Sequence, residues 1–96
     1  MPVRTAYVER ENRLDLSVIG NLDLTISQAV CDICARLPST LKFCVIDLSD
    51  VERVFDSGIA VLRMLHRRLR EFGATVVIHG DPSEVQRRSP GYCSRP

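Results

Sequence analysis

The sequence lacks, first of all, any stretch that a membrane would require. No apolar run approaches the roughly 20 residues that span a bilayer, and the opening Met1-Pro2-Val3-Arg4 has none of the apolar core of a secretory leader. These absences lead us to expect a cytoplasmic protein with no direct membrane insertion. An excess of one sign of charge is missing too: 13 Lys and Arg stand against 12 Asp and Glu, a formal net charge of +1. A generic nucleic-acid binder carries a clear basic excess, so nucleic acid is not an expected partner. Repeats, low-complexity tracts and internal linkers are lacking. The 96 residues fit one domain, expected at 1–88, with 89–96 as a C-terminal tail. Cysteine is sparse for a disulfide framework. Cys31, Cys34, Cys44 and Cys93 read as free thiols in a cytoplasmic chain.

What is present is an ordinary globular composition, 45% hydrophobic and 26% charged. Val3, Thr5 and Tyr7 alternate over residues 3–9, and Leu14, Leu16 and Val18 alternate with Asp15 and Ser17. Each period of two predicts a strand, and the short polar Arg10-Glu11-Asn12-Arg13 between them predicts a hairpin turn. Ile19-Gly20-Asn21-Leu22-Asp23 breaks the alternation and is expected to turn the chain. Ile26, Val30, Ile33 and Leu37 recur at helical spacing and predict a helix over 25–37, capped by Asp23 or Thr25 and stopped by Pro38-Ser39. Residues 42–48 are nearly all apolar and predict a strand buried within a sheet.

A second helix is predicted from Asp56 to about residue 72. Val61, Leu62, Leu65, Leu69 and Phe72 form its apolar sector, bordered by Met64. Arg63, Arg67 and Arg70 lie opposite, with His66 near them. Gly73 stops this helix; residues 74–79 form another strand, and a short last helix is expected from residue 83 to about 88. The resulting order, ββαβαβα, predicts an α/β fold: a mixed four-stranded sheet with an antiparallel N-terminal pair, then strand-helix-strand crossovers, and helices packed against it.

The sharpest candidate for function is Asp56-Ser57-Gly58. One reading is a plain helix start, because aspartate and serine cap helices and glycine eases a tight turn. The other is a regulatory hydroxyl at an exposed helix N-terminus, where phosphorylation adds up to about two negative charges. A catalytic serine is disfavoured: His66 lies two turns down the helix, and the Gly-x-Ser-x-Gly nucleophile pattern is absent. Ile59 falls away from the apolar sector, either as a docking anchor or packed under the preceding loop. Cys31-Asp32-Ile33-Cys34 fits C-x-x-C, a redox or zinc pattern. Yet it lies too far along its helix for the N-terminus to lower a thiol pKa, and no second pair completes a zinc set. The arginine face is either solvated or a contact surface for an acidic partner. No catalytic residue, metal or cofactor is expected.

Three segments, taken together, resemble a known family. Gly20-Asn21-Leu22-Asp23 resembles the Gly-Glu-Leu-Asp turn before the first helix of STAS domains, the anti-sigma factor antagonists. Val45-Ile46-Asp47-Leu48-Ser49 followed by Asp56-Ser57-Gly58-Ile59 resembles their strand and Asp-Ser-Ser-Gly-Leu segment, and Gly73-Ala74-Thr75-Val76 their glycine turn into the last crossover strand. The resemblance covers about residues 14–88. It implies a bacterial, non-enzymatic switch in transcription regulation, which binds an anti-sigma factor, often a serine kinase, until phosphorylation releases it. A second branch of the family implies an accessory subunit of a lipid-transport ABC system, contacting the ABC ATPase through the same loop.

On this basis the expected partner surface comprises Asp23, Phe55, Asp56, Ser57, Gly58, Ile59 and Arg63, with Ser57 the phosphorylation candidate. The chain departs from the family in having one Asp-Ser before the glycine. Counted back from Gly58 without a gap, Phe55 falls on the family's aspartate, Asp56 on its phosphorylated hydroxyl and Ser57 on the second hydroxyl. Matching Asp-Ser to Asp-Ser makes Ser57 the phosphosite at the cost of a one-residue deletion; the strand spacing favours the gapless register. Pro90-Gly91 cuts short the family's last helix, exposing part of the core or leaving a surface for a homodimer. A thiol redox protein using Cys31 and Cys34 is the reading from a different class.

Overall fold

The computed structural model describes residues 2–80. The expected last helix, the 1–88 boundary, the 89–96 tail, Pro90-Gly91 and Cys93 lie outside the described residues.

Strand β1, Val3–Val8, leads through a 3-10 turn at Glu9–Glu11 into β2, Arg13–Leu22. A second 3-10 turn, Leu24–Ile26, opens helix α1, Ser27–Ala35. Strand β3, Phe43–Val54, is followed by helix α2, Asp56–Glu71, and strand β4, Thr75–His79. The sheet order is β1-β2-β3-β4, with β1 antiparallel to β2 and the other pairs parallel. The mixed four-stranded sheet expected from the sequence is therefore present.

One face of the sheet carries the core. Leu14, Cys44 and Val76 sit side by side on β2, β3 and β4, as do Leu16, Ile46 and Ile78 on the next rung. All six are buried, together with Ile26 and Val30 from the first helical segment and Val61, Leu62, Leu65 and Leu69 from α2. Helical period on one side and strand period on the other thus mesh in a single apolar layer, the arrangement each amphipathic element needs to remove its apolar face from water. Val3 is buried and Tyr7 packs against this layer, as the alternation in β1 predicts.

Several expectations are corrected. Strand β3 is buried on one face only: Val45 and Asp47 are half-buried and point away from the core side. Its apolar run came from Val45, a β-branched residue suited to either face of a pleat. The segment 19–22 does not turn the chain. It continues β2, and Ile19, Gly20, Asn21 and Leu22 pair with Asp50, Val51, Arg53 and Val54 of a longer β3. Two register shifts interrupt this pairing, next to Gly20 with its positive φ of 84°; such bulges break side-chain alternation while backbone pairing goes on. Helix α1 is shorter than 25–37, because its first turn is 3-10 and it ends at Ala35.

On α2, His66 is buried, at 8% exposure, where the wheel put it near the arginines, and Phe72 is exposed beyond the helix end. The wheel gives angles about an axis; the depth at which β4 and the strand ends meet the helix decides which flanking positions are covered.

Candidate functional site

The extended ends of β2 and β3 form a two-stranded ribbon that runs directly into the helical segments. The backbone N–H of Phe55 donates to the Leu22 carbonyl oxygen at 2.9 Å, which continues the ribbon by one further bond. Helix α2 begins at the next residue. Gly58, in its first turn, lies flat against this ribbon. A Cβ there would come within 2.0 Å of the Leu22 oxygen and 2.5 Å of the Asp23 nitrogen. The glycine thus permits the backbone contact that joins the Gly20–Asp23 motif to the Asp56–Gly58 motif.

Asp23 caps the 3-10 turn. One carboxylate oxygen accepts from the Thr25 backbone N–H at 2.9 Å and also from the Thr25 hydroxyl. The predicted cap is therefore Asp23, with Thr25 as its donor. At α2 the plain cap reading is corrected. The capping position is Phe55, with no side-chain cap bond, and Asp56 is the first helical residue. Its negative charge in the first turn, with Arg68 and Arg70 in the last, complements the helix dipole at both ends.

Among the expected partner residues, Phe55, Asp56 and Arg63 are exposed and Asp23 and Ser57 half-buried. Gly58 and Ile59 are buried, Ile59 at 5% exposure. Of the two readings of Ile59, its burial in the core cluster favours packing. Leu24, which sequence reasoning passed over, is 63% exposed beside Asp23. Its signal was available: it lies two positions before Ile26, off the stripe that the first helix buries. Leu24 and Phe55, each next in sequence to one of the motifs, give this end of the molecule two exposed apolar side chains beside acidic Asp23 and Asp56.

The geometry disfavours Ser-His chemistry. Ser57 and His66 share α2, and nine residues at 1.5 Å each set them about 13 Å apart along the axis. His66 is buried, and burial, with the nearby Arg70 charge, pushes its pKa below the ordinary 6.5. The redox reading fares no better. Burial pushes the Cys34 thiol pKa up, partly offset by the nearby Arg68 charge; a reactive pair needs the opposite shift. Cys44 is a buried core thiol, pushed up to about 12. Among the described residues, no helix is long and apolar enough to cross a membrane.

A mixed four-stranded sheet with helices packed on its core face defines a small α/β domain. The chain belongs to the STAS family: the model described as "Mlab, STAS domain" matches residues 5–88. No curated protein sequence matches it. Among solved structures it is similar to an anti-sigma factor antagonist STAS domain from Rhodobacter sphaeroides, at 26% identity and TM-score 0.63, covering 81% of this chain and 84% of that one. It shares 28% identity with Mglu at TM-score 0.64, over 74% of this chain but only 18% of Mglu, so it spans about a fifth of that longer protein. The anti-sigma factor antagonist SpoIIAA in its unphosphorylated form has the same fold, at 15% identity and TM-score 0.70, covering 98% of this chain and 87% of that one.

Proposed function

We propose that this chain is a non-enzymatic regulatory module that binds an anti-sigma factor of the serine-kinase type. Its docking surface is built from Asp23, Phe55, Asp56, Ser57 and Arg63, with Leu24 at its edge. Gly58 and Ile59 support that surface from beneath. The observation that carries this reading is the close seat of Gly58 on the Leu22-Asp23 backbone. It makes one continuous face of the two segments by which the chain resembles antagonists, and the likeness to the Rhodobacter antagonist extends over most of both chains.

In the gapless register, Asp56 supplies a permanent negative charge where relatives acquire a phosphate. Ser57, one residue further into the helix, is the remaining hydroxyl that a kinase could modify. Either charge sits in the first turn of α2, where the helix dipole tolerates it, and acts instead on whatever docks there.

The test is to incubate the protein with a purified kinase-type anti-sigma factor and ATP, then measure complex formation and map phosphate by mass spectrometry. Binding that Phe55→Ala or Asp56→Lys weakens by about tenfold or more supports the surface, since about 1.4 kcal/mol is the least expected of an interface anchor. Phosphate on Ser57, with loss of binding in Ser57→Asp, supports a switch. Binding without phosphate, and unchanged by Ser57→Asp, supports constitutive action through Asp56. Binding indifferent to Phe55 and Asp56 overturns the surface. Association with an ABC ATPase in place of the anti-sigma factor supports the accessory-subunit reading, which uses the same face.

A further inference from the structure

Cys31 and Cys34 lie three residues apart on α1, so they share one helix face. Cys31 is exposed and Cys34 half-buried. Arg68 of α2 lies close enough for its charge to act on the Cys34 thiol. An open hollow of about 360 Å³ between the helices is lined by Cys31, Cys34, Ala35, Met64 and Arg68. Two thiol residues of α1 and one thioether residue of α2 therefore line the same hollow. Among the described residues no three His, Cys, Asp or Glu side chains group together, so the third donor is a thioether.

This donor set is selective. Structural zinc takes four nitrogen or sulfur ligands in a closed tetrahedron, and iron–sulfur clusters take four cysteines. Two thiolates and a thioether with no hard oxygen donor suit a soft monovalent ion of low coordination number. We propose that Cys31, Cys34 and Met64 form a site for a single Cu(I) ion.

On binding, each thiol gives up its proton to solvent and forms one S–Cu bond, and the Met64 thioether forms a third by donating a sulfur lone pair. Copper stays Cu(I) throughout, so no oxidant or reductant is required. The ion and two thiolates together carry one negative charge, which the Arg68 guanidinium balances. The raised thiol pKa of Cys34 is no obstacle, because a coordinating metal displaces the proton directly. Met64, otherwise an exposed apolar side chain at 38% on the helix surface, acquires a role. Met64 lies eight residues into α2 from Asp56, about 12 Å along the axis, so this site is set apart from the helix start and meets the docking surface only beside Arg63.

The test is anaerobic titration of the reduced full chain with Cu(I), supplied as its acetonitrile complex and competed against bicinchoninate, with X-ray absorption reading the copper ligands. One bound ion per chain is expected, with sulfur-only coordination. Cys31→Ser and Cys34→Ser should abolish tight uptake. Met64→Leu should weaken it by at least about tenfold, the scale on which even a ligand's hydrogen-bond partners act, with helical circular dichroism unchanged. Cys44→Ala and Cys93→Ser should retain it. Uptake that survives Cys31→Ser, or that Met64→Leu leaves unchanged, overturns the site, as does failure of the unaltered chain to compete for the ion.

Discussion

A methyl group at Gly58 has nowhere to go: its nearest neighbours would be the Leu22 oxygen at 2.0 Å and carbon at 2.1 Å, both backbone atoms. Backbone cannot swing aside as a flexible side chain can, so helix and ribbon must separate. Gly58→Ala is expected to cost about 3 kcal/mol, the upper part of the range for overpacking, as read from urea unfolding. It should also abolish partner binding while leaving Ser57 and Asp56 in the sequence. His66 gives a second outcome at this scale. Burial and Arg70 hold its folded pKa below 6.5, so the native state binds fewer protons than the unfolded one as pH drops from that value. The associated stability is fully present above 6.5 and is lost as pH falls through the folded value. The melting temperature should decline from about pH 7 to pH 5, and His66→Gln should flatten that decline. Asp47 stands in a separate window. The Ser49 hydroxyl and backbone N–H both bond to its carboxylate and hold it below 3.8, so its contribution is lost only in stronger acid.

At the scale of elements, the legible parts were those in which side-chain pattern and backbone pairing agree. The alternation of Leu14, Leu16 and Val18, and the sector of Val61, Leu62, Leu65 and Leu69, placed the first half of β2 and most of α2 correctly. The C-terminal halves of β2 and β3 were illegible because their pairing passes through two register shifts, which erase the period of two while keeping the hydrogen bonds. That loss matters for the site, since the ribbon makes neighbours of Asp23 and Phe55. The motif residues were readable as a list; their contact was not. Asp23 was readable as a cap, and the prediction follows: Asp23→Ala should destabilise the fold by about 1 kcal/mol, whereas Asp23→Asn, which keeps an acceptor oxygen, should recover most of it. If the two variants bind the partner equally, Asp23 acts through the turn it caps; if Asp23→Asn folds well but binds poorly, its charge is used directly.

Across the whole molecule, burial of one sheet face alone separates two kinds of surface. The helical side carries α2 with exposed Arg63, Arg67 and Arg70, and the other side of the sheet carries half-buried Arg13, Asp15, Ser17 and Asp47. A single sequence of ordinary composition thus offers an acidic and apolar end, a basic helix and a sulfur-lined hollow. None of these is visible in the net charge of +1, because composition sums over positions that folding then sorts.

The Phe55-to-Leu22 hydrogen bond and the Gly58 seat also determine when the surface comes into being. Neither contributing segment owns it, and a nascent chain has no such surface until residues past Gly58 have folded back on the Gly20–Asp23 segment. A synthetic peptide covering 49–63 should accordingly fail to compete for the partner at concentrations where the intact chain competes fully, as measured by displacement of a labelled complex. Full competition by that peptide would mean that the partner reads a linear motif. Under the proposed function, recognition of the assembled ribbon would instead act as a proofreading step, engaging only copies that have finished folding.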